Sequence, residues 1–178
     1  MEKKVKIYVL LLSSRFPAYH PKAGQPTGFE DALRRGIQRM RCREQHECIG
    51  CGECVGRIKK HTIRGNAAFW ERCAQKVNKG EAIISLRQWS GKPYASSQIE
   101  IVQLTSLHVQ RVTLGLSDSD HRTPFAYADR NGVKKFVSVT RLAENDALEP
   151  SDFMSWFQLH RRKEPYHGVI LHFTDMRY

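Results

Sequence analysis

The sequence predicts a single α+β domain in which roughly five to seven short strands and about three helices form a small curved barrel. Three observations lead to this fold class. Short stretches of alternating apolar and polar residues, typical of half-buried strands, recur along the chain. A few longer segments between them place apolar residues at the helical period. No internal repeat or low-complexity linker divides the 178 residues into smaller units.

The first half of the chain is predicted to contain one strand followed by two helices. Residues 5–13 are largely apolar and predict the first strand. Thr27 is expected to open a helix that runs through residue 41, because Glu30 and Asp31 then lie in the first turn, where the helix dipole favours negative charge. Asn66 is typical of an N-cap and predicts a second helix that ends near residue 78.

The second half is predicted to be richer in strands. Asn131-Gly132, between strands at residues 125–128 and 133–139, is a strong signal for a type I′ β-hairpin. A last helix is expected after Pro150. The other predicted strands cover residues 81–88, 98–104, 107–114 and 169–174.

Composition and charge indicate which kinds of protein and which kinds of partner are expected. With 40% hydrophobic and 26% charged residues, the chain can bury a core without disulfides. Its longest apolar run, residues 5–12, is interrupted by Lys6 and lacks the features of a signal peptide, so a cytoplasmic protein without a membrane segment is expected. The net charge of +11 favours polyanionic partners, although good solubility alone is the alternative explanation.

The most informative short pattern is K-x-x-T-x-R, which runs from Lys59 through Thr62 to Arg64. If the last three residues are extended, Thr62 and Arg64 share one face of a strand while Ile63 points into the core. Desolvation and neighbouring cations can lower the pKa of such a lysine until it acts as a base. The arginine could hold a carbonyl or phosphate oxygen through its planar fork. A basic edge strand that resists aggregation is the alternative interpretation.

The pattern resembles the G-x-K-x-x-T-x-R signature of the ASCH family, a member of the PUA-like superfamily of barrels, although Gly56 lies one residue too far upstream. Further segments resemble a bacterial branch of this family over nearly the whole chain. They are Phe16-Pro17 with His20, Pro26-Thr27-Gly28-Phe29, residues 66–77 with Trp70, residues 85–94, Asn145-Asp146, Asp152-Phe153 and residues 169–174. The resemblance implies a single ASCH/PUA-like β-barrel domain over residues 1–178, with a Cys-rich insertion at about residues 37–57.

The resemblance also implies a chemistry. Some ASCH proteins resemble amidohydrolases that remove the acetyl group from N4-acetylcytidine with the signature lysine and threonine and a distal acid. The corresponding catalytic residues here would be Lys59, Thr62 and Glu144, with Arg64 in contact with the ligand. Asp146 is the alternative acid, and Asn145 or Asp146 could instead cap a turn or a helix.

Aromatic residues near the middle of the chain suggest a ligand pocket. Trp89 and Tyr94 flank a Gly-Lys-Pro turn, which could lay a ring against a flat base while Gln88 reads its polar edge. His20 would line the pocket mouth. Core packing is the alternative role for Trp89.

Four cysteines lie in or near the insertion: Cys42, Cys48, Cys51 and Cys54. The last three resemble an iron–sulfur segment, but Ile58 occupies the position of the expected fourth cysteine, so Cys42 or Cys73 would have to complete the set. A structural zinc held by four thiolates, or by three with His46, is favoured over an iron–sulfur cluster, because no electron-transfer or cofactor motif accompanies the cysteines, and unligated thiols are the alternative.

Two functions from different classes follow from these observations. The first is a module whose basic cleft binds RNA or a nucleoside-type small molecule. The second is an amidohydrolase that deacylates N4-acetylcytidine or a related acylated nucleoside. A metal-stabilised interaction protein is a third interpretation.

Overall fold

The computed structural model describes residues 5–45, 55–117, 119–120 and 122–178. The described strands are β1 (Lys6–Leu11), β2 (His61–Arg64), β3 (Ala82–Trp89), β4 (Gln98–Leu104), β5 (His108–Leu116), β6 (Pro124–Arg130), β7 (Val133–Phe136) and β8 (Tyr166–His172). The described helices are α1 (Phe29–Gln45), α2 (Ala67–Asn78), α3 (Val139–Asn145) and α4 (Pro150–Trp156), followed by a 3₁₀ turn at Leu159–Arg161. The predicted α+β class is therefore confirmed.

The described strands form two sheets. In the smaller sheet, β1 pairs in parallel with β3, and β3 pairs antiparallel with β4. In the larger sheet the order is β2-β8-β5-β6-β7, and every pairing is antiparallel. Neither sheet closes into the expected barrel, because in the described part of the chain β1, β4, β2 and β7 remain edge strands.

A single hydrophobic core joins the sheets and helices. Helix α2 packs against β3, β5 and β8 and so bridges the two sheets. Side chains that are fully buried in this core include Leu86 of β3, Leu171 of β8, Leu33 of α1 and Phe153 of α4. No helix in the described ranges is long and apolar enough to cross a membrane.

Two local predictions are confirmed by backbone geometry. The Asn66 side chain accepts a hydrogen bond from the Phe69 amide at 3.3 Å and caps α2 as expected. Asn131 and Gly132 both have positive φ, 56° and 79°, as a type I′ turn between β6 and β7 requires.

One element differs from the sequence-based expectation. The strand predicted over residues 133–139 ends at Phe136, and α3 begins at Val139. The reason is Ser138, whose side chain accepts a hydrogen bond from the Arg141 amide at 3.4 Å and so starts a helix. The described chain therefore has four α-helices where about three were expected.

Candidate functional site

The segment that carries the K-x-x-T-x-R pattern is fixed by three parts of the fold. The Lys59 amide donates a hydrogen bond to the Ala32 carbonyl of α1 at 2.9 Å, and the Lys60 amide donates to the Asn145 carbonyl of α3 at 2.7 Å. The next residues form β2, which pairs with β8. Gly36 of α1 permits this arrangement, because a Cβ atom there would lie 2.6 Å from the Lys59 carbonyl oxygen.

Lys59 forms a fully buried ion pair with Asp146, the residue that caps the C-terminus of α3. The Lys59 side chain is 0% exposed, and its Nζ donates both to the Asp146 carboxylate and, at 2.9 Å, to the Asp146 backbone carbonyl. The same Nζ lies 3.8 Å from the centre of the Phe29 ring.

Burial and pairing act in opposite directions on this pair. Burial lowers the pKa of Lys59, and the Asp146 carboxylate opposes that shift. Burial likewise raises the pKa of Asp146, and the charges of Lys59 and Arg64 oppose it. The pair therefore depends on mutual contact to stay charged, since each partner alone would favour its neutral form.

The other two residues of the pattern lie on β2. Arg64 is partly buried, and its guanidinium donates to the Leu11 carbonyl at 2.7 Å and to the Ile63 carbonyl at 3.2 Å. Burial lowers the pKa of Arg64, against the opposing effect of Asp146. Thr62 is 3% exposed. Lys59 and Arg64 thus both interact with Asp146, and Thr62 lies between them in sequence.

A cavity of about 700 Å³ lies next to this segment, between residues 11–17 and the loop after β3. Trp89 and Tyr94 both line it, with ring centroids 5.3 Å apart. Arg15 and Lys92 line it as well. We call this cavity the aromatic groove.

The aromatic groove is linked to the K-x-x-T-x-R segment through one of its lining residues. Leu11, whose carbonyl accepts the hydrogen bond from Arg64, is one of the lining residues. Lys59 and Thr62 are not among the residues that line the groove. In the described structure, Trp89 and Tyr94 therefore line the same open cavity, and Lys59 does not line it.

The remaining ligand-binding candidates lie outside the groove lining. His20 is 3% exposed and stacks on Phe16 with ring centroids 4.4 Å apart. Phe16 lines the groove and His20 does not. Its Nδ1 accepts a hydrogen bond from the Lys22 amide at 3.0 Å, which leaves Nε2 to donate to the Asp152 carbonyl at 3.1 Å. The Gln88 side chain donates instead to Glu30 of α1.

The two candidate acids are in different environments. Asp146 contacts Lys59 directly, as described above. Glu144 is exposed on α3 and lines a separate cavity of about 420 Å³ with Arg57 and Lys60. Glu144 therefore does not share the buried environment of Lys59.

Of the four cysteines predicted to bind a metal, the structure describes Cys42. Cys48, Cys51 and Cys54 lie outside the described residues. Cys42 is buried on α1, where the Gln38 side chain donates to its Sγ at 3.4 Å, and Cys73 is buried on α2. Among the described residues, no group of three or more His, Cys, Asp or Glu side chains is arranged to hold a metal ion.

Sequence reasoning missed a group of three histidines on neighbouring strands. His61 of β2 and His108 of β5 both pair with His172 of β8, and the ring centroids lie 6.0 Å and 5.8 Å from that of His172. These residues are far apart in the sequence, and only the strand order β2-β8-β5 brings them together. We call this group the histidine cluster.

Comparison with known proteins identifies no relative: no family model, no curated protein and no solved structure matches this chain.

Proposed function

We propose that this protein binds a nucleotide-containing ligand, a nucleoside or single-stranded RNA, in the aromatic groove. The observation that carries the proposal is the placement of two aromatic rings and two cationic side chains around one open cavity of about 700 Å³. Such a volume is typical of small-molecule sites. Under this proposal the chain is a cytoplasmic module of the ASCH family.

The exposure of Tyr94 supports a binding role for the groove. Its side chain is 89% exposed, although a large aromatic ring in water gains nothing from the hydrophobic effect. Its φ of 63° is unusual for a residue with a side chain, and its ring centroid lies 5.3 Å from that of Trp89. A base stacked on these rings would bury the exposed surface, and stacking on aromatic side chains contributes about 1–3 kcal/mol per base.

Charge supports a phosphate-bearing ligand. Arg15 and Lys92 lie at the groove, and the whole chain carries a net charge of +11 that attracts polyanions. Arg15 is held in place by a hydrogen bond from its guanidinium to the Gly24 carbonyl at 2.7 Å. Its remaining N–H groups point to a role in phosphate contact.

Binding of a fluorescently labelled single-stranded oligoribonucleotide, followed by anisotropy, tests this proposal. Replacing Tyr94 by alanine (Y94A) is expected to weaken binding roughly tenfold, because one stacking contact is lost. Tyr127→Ala is the matched control, since Tyr127 is a partly exposed aromatic residue on β6 outside the groove. Equal affinity in Y94A and the unmodified protein, or no binding by either, would reject the proposal.

The buried Lys59–Asp146 pair supports a second candidate, the amidohydrolase. In such a reaction Lys59 would first pass a proton to Asp146, and the neutral amine would then take the proton from the Thr62 hydroxyl while the Thr62 oxygen bonds to the acyl carbon. The C–N bond would then break, the proton would pass to the leaving amine, and water would release the acid. The lowered pKa of Lys59 suits a base, but the substrate needs an opening to reach a side chain that is 0% exposed.

Release of acetate from N4-acetylcytidine distinguishes the two candidates. An amidohydrolase loses turnover in Thr62→Val while substrate binding persists. A binding module releases no acetate at all. Its affinity for the oligoribonucleotide falls in Tyr94→Ala and does not change in Thr62→Val.

A further inference from the structure

A third cavity, of about 400 Å³, lies beside α1. It is bounded by the turn between β4 and β5, by the C-terminal end of β8 and the residues after it, and by Met40 and Arg41 of α1. Two members of the histidine cluster, His108 and His172, line it. It shares no lining residue with the aromatic groove. We call it the histidine cavity.

His172 has unmet hydrogen-bonding capacity at this cavity. The residue is 2% exposed, and within the described part of the chain neither Nδ1 nor Nε2 has a hydrogen-bond partner. A neutral imidazole has one donor and one acceptor nitrogen, so one of each is unsatisfied whichever tautomer is present. An unpaired buried polar group of this kind destabilises the folded protein, and a bound partner would remove that penalty.

The neighbouring His61 contacts Tyr178 through Nδ1. The Asn145 amide donates to the Tyr178 hydroxyl at 2.8 Å, and that hydroxyl lies 3.2 Å from His61 Nδ1. His61 Nε2 is buried and, among the described residues, has no hydrogen-bond partner.

The surroundings of the cavity are electropositive. Arg177 lines it and uses Nη1 to donate to the Thr174 and Met176 carbonyls, both at 2.7 Å, and its Nε and Nη2 have no hydrogen-bond partner in the described part of the chain. Arg41 adds a second guanidinium, while Asp175 is the acidic side chain in the lining. Burial, Arg177 and His108 together lower the pKa of His172 to about 3. Burial is the largest cause of this shift, and the smaller contribution of Arg177 reflects a positive charge at the cavity, which disfavours a metal cation and favours an anion.

We propose that the histidine cavity is a binding site for a small oxyanion of the sulfate or phosphate class, in contact with His172, His108 and Arg177. The unpaired ring nitrogen of His172 and the unused guanidinium donors supply N–H groups, and His108 at the cavity edge supplies a further one. Oxyanion oxygens are acceptors and match these donors. This site does not depend on nucleotide binding in the aromatic groove.

Isothermal titration calorimetry with sodium sulfate at pH 7 and constant ionic strength tests this site, because sulfate keeps one charge state near neutrality. Saturable binding at one site per chain is expected. His172→Gln and Arg177→Met are each expected to weaken it roughly tenfold, as the loss of a charge-assisted or buried hydrogen bond predicts. Arg122→Ala, which removes an exposed positive charge outside the cavity lining, is the matched control and is expected to change affinity less than about twofold.

The imidazole nitrogen signals of His172 in long-range ¹H–¹⁵N spectra supply a second readout. Sulfate is expected to shift the signals of His172 and His108. Arg177→Met keeps the test valid if His172→Gln fails to fold, because Arg177 is only partly buried near the C-terminus. Absence of sulfate binding, binding unchanged in Arg177→Met, or saturable zinc binding in place of sulfate would each overturn the proposal.

Discussion

The ammonium of Lys59 and the carboxylate of Asp146 meet in the interior of the protein although 87 residues separate them in the chain. Their side chains are 0% and 5% exposed. Backbone bonds reinforce the contact, since the two residues also form an isolated antiparallel bridge. This pair fixes the loop before β2 against the C-terminal end of α3.

Removing one partner of this pair is expected to be strongly destabilising. Lys59→Met leaves an uncompensated buried carboxylate, and the expected loss in the free energy of unfolding is about 3–5 kcal/mol. Asp146→Asn removes the opposite charge and has a similar expected effect. The double variant is expected to lose less than the sum, which a double-mutant cycle from urea unfolding measures.

The exposed pair Arg111–Glu71 is the control for this cycle. Its Arg111 side chain is 64% exposed, so a much smaller coupling energy than at the buried pair is expected. A coupling at Lys59–Asp146 no larger than at Arg111–Glu71 would contradict the assigned role of the buried pair.

Gly36 is expected to be intolerant of a methyl group despite its place inside a helix. Alanine is normally the better helix former by about 1 kcal/mol. In Gly36→Ala the new Cβ would lie 2.6 Å from the Lys59 carbonyl oxygen and force α1 away from the loop. The net expected effect is a destabilisation of about 1–3 kcal/mol. Arg39→Ala on an exposed face of α1 is the control and is expected to be nearly neutral in thermal unfolding.

Acid is expected to destabilise the protein through His172. Its pKa is lowered from an ordinary 6.5 to about 3, so between these values the unfolded chain binds a proton that the folded chain does not. The free energy of unfolding therefore falls as pH falls through this window, by about 1.4 kcal/mol per pH unit for one such group. The pKa of His61 is also well below 6.5, chiefly through burial, and acts in the same direction.

Denaturant unfolding of the protein and of His172→Gln between about pH 6 and about pH 4 measures this contribution. The variant is expected to show a flatter dependence on pH, because glutamine does not titrate. If the free energy of unfolding changes with pH by the same amount in both proteins, the pKa of His172 is not lowered in the folded state.

The parts of the fold that local chemistry determines were predictable from the sequence. The cap at Asn66 and the turn at Asn131-Gly132 depend on neighbouring residues only, and both are found. Helix α3 was not predicted, because the residues before it continue an alternating pattern and only Ser138 marks the change. Barrel closure could not be decided from strand patterns, because it depends on which strands become edges.

The candidate site was only partly predictable for the same reason. The sequence limited the acid near Lys59 to Glu144 or Asp146, which are two residues apart, but it could not decide which side chain points inward. Trp89 and Tyr94 are close in sequence, so their contact across a short loop could be anticipated. The histidine cluster depends on the order of β2, β8 and β5, which no local pattern encodes.

Chemical-shift mapping of the ¹⁵N-labelled protein with cytidine 5′-monophosphate tests the proposed nucleotide site most directly. We expect the largest changes at the Trp89 indole and at the Tyr94 amide, with smaller changes at Ser13 and Arg15 along the same groove. Changes confined to His108, His172 and Arg177 would place the phosphate in the histidine cavity alone. That result, or the absence of any change at millimolar nucleotide, would contradict the assignment of the aromatic groove as the nucleotide site.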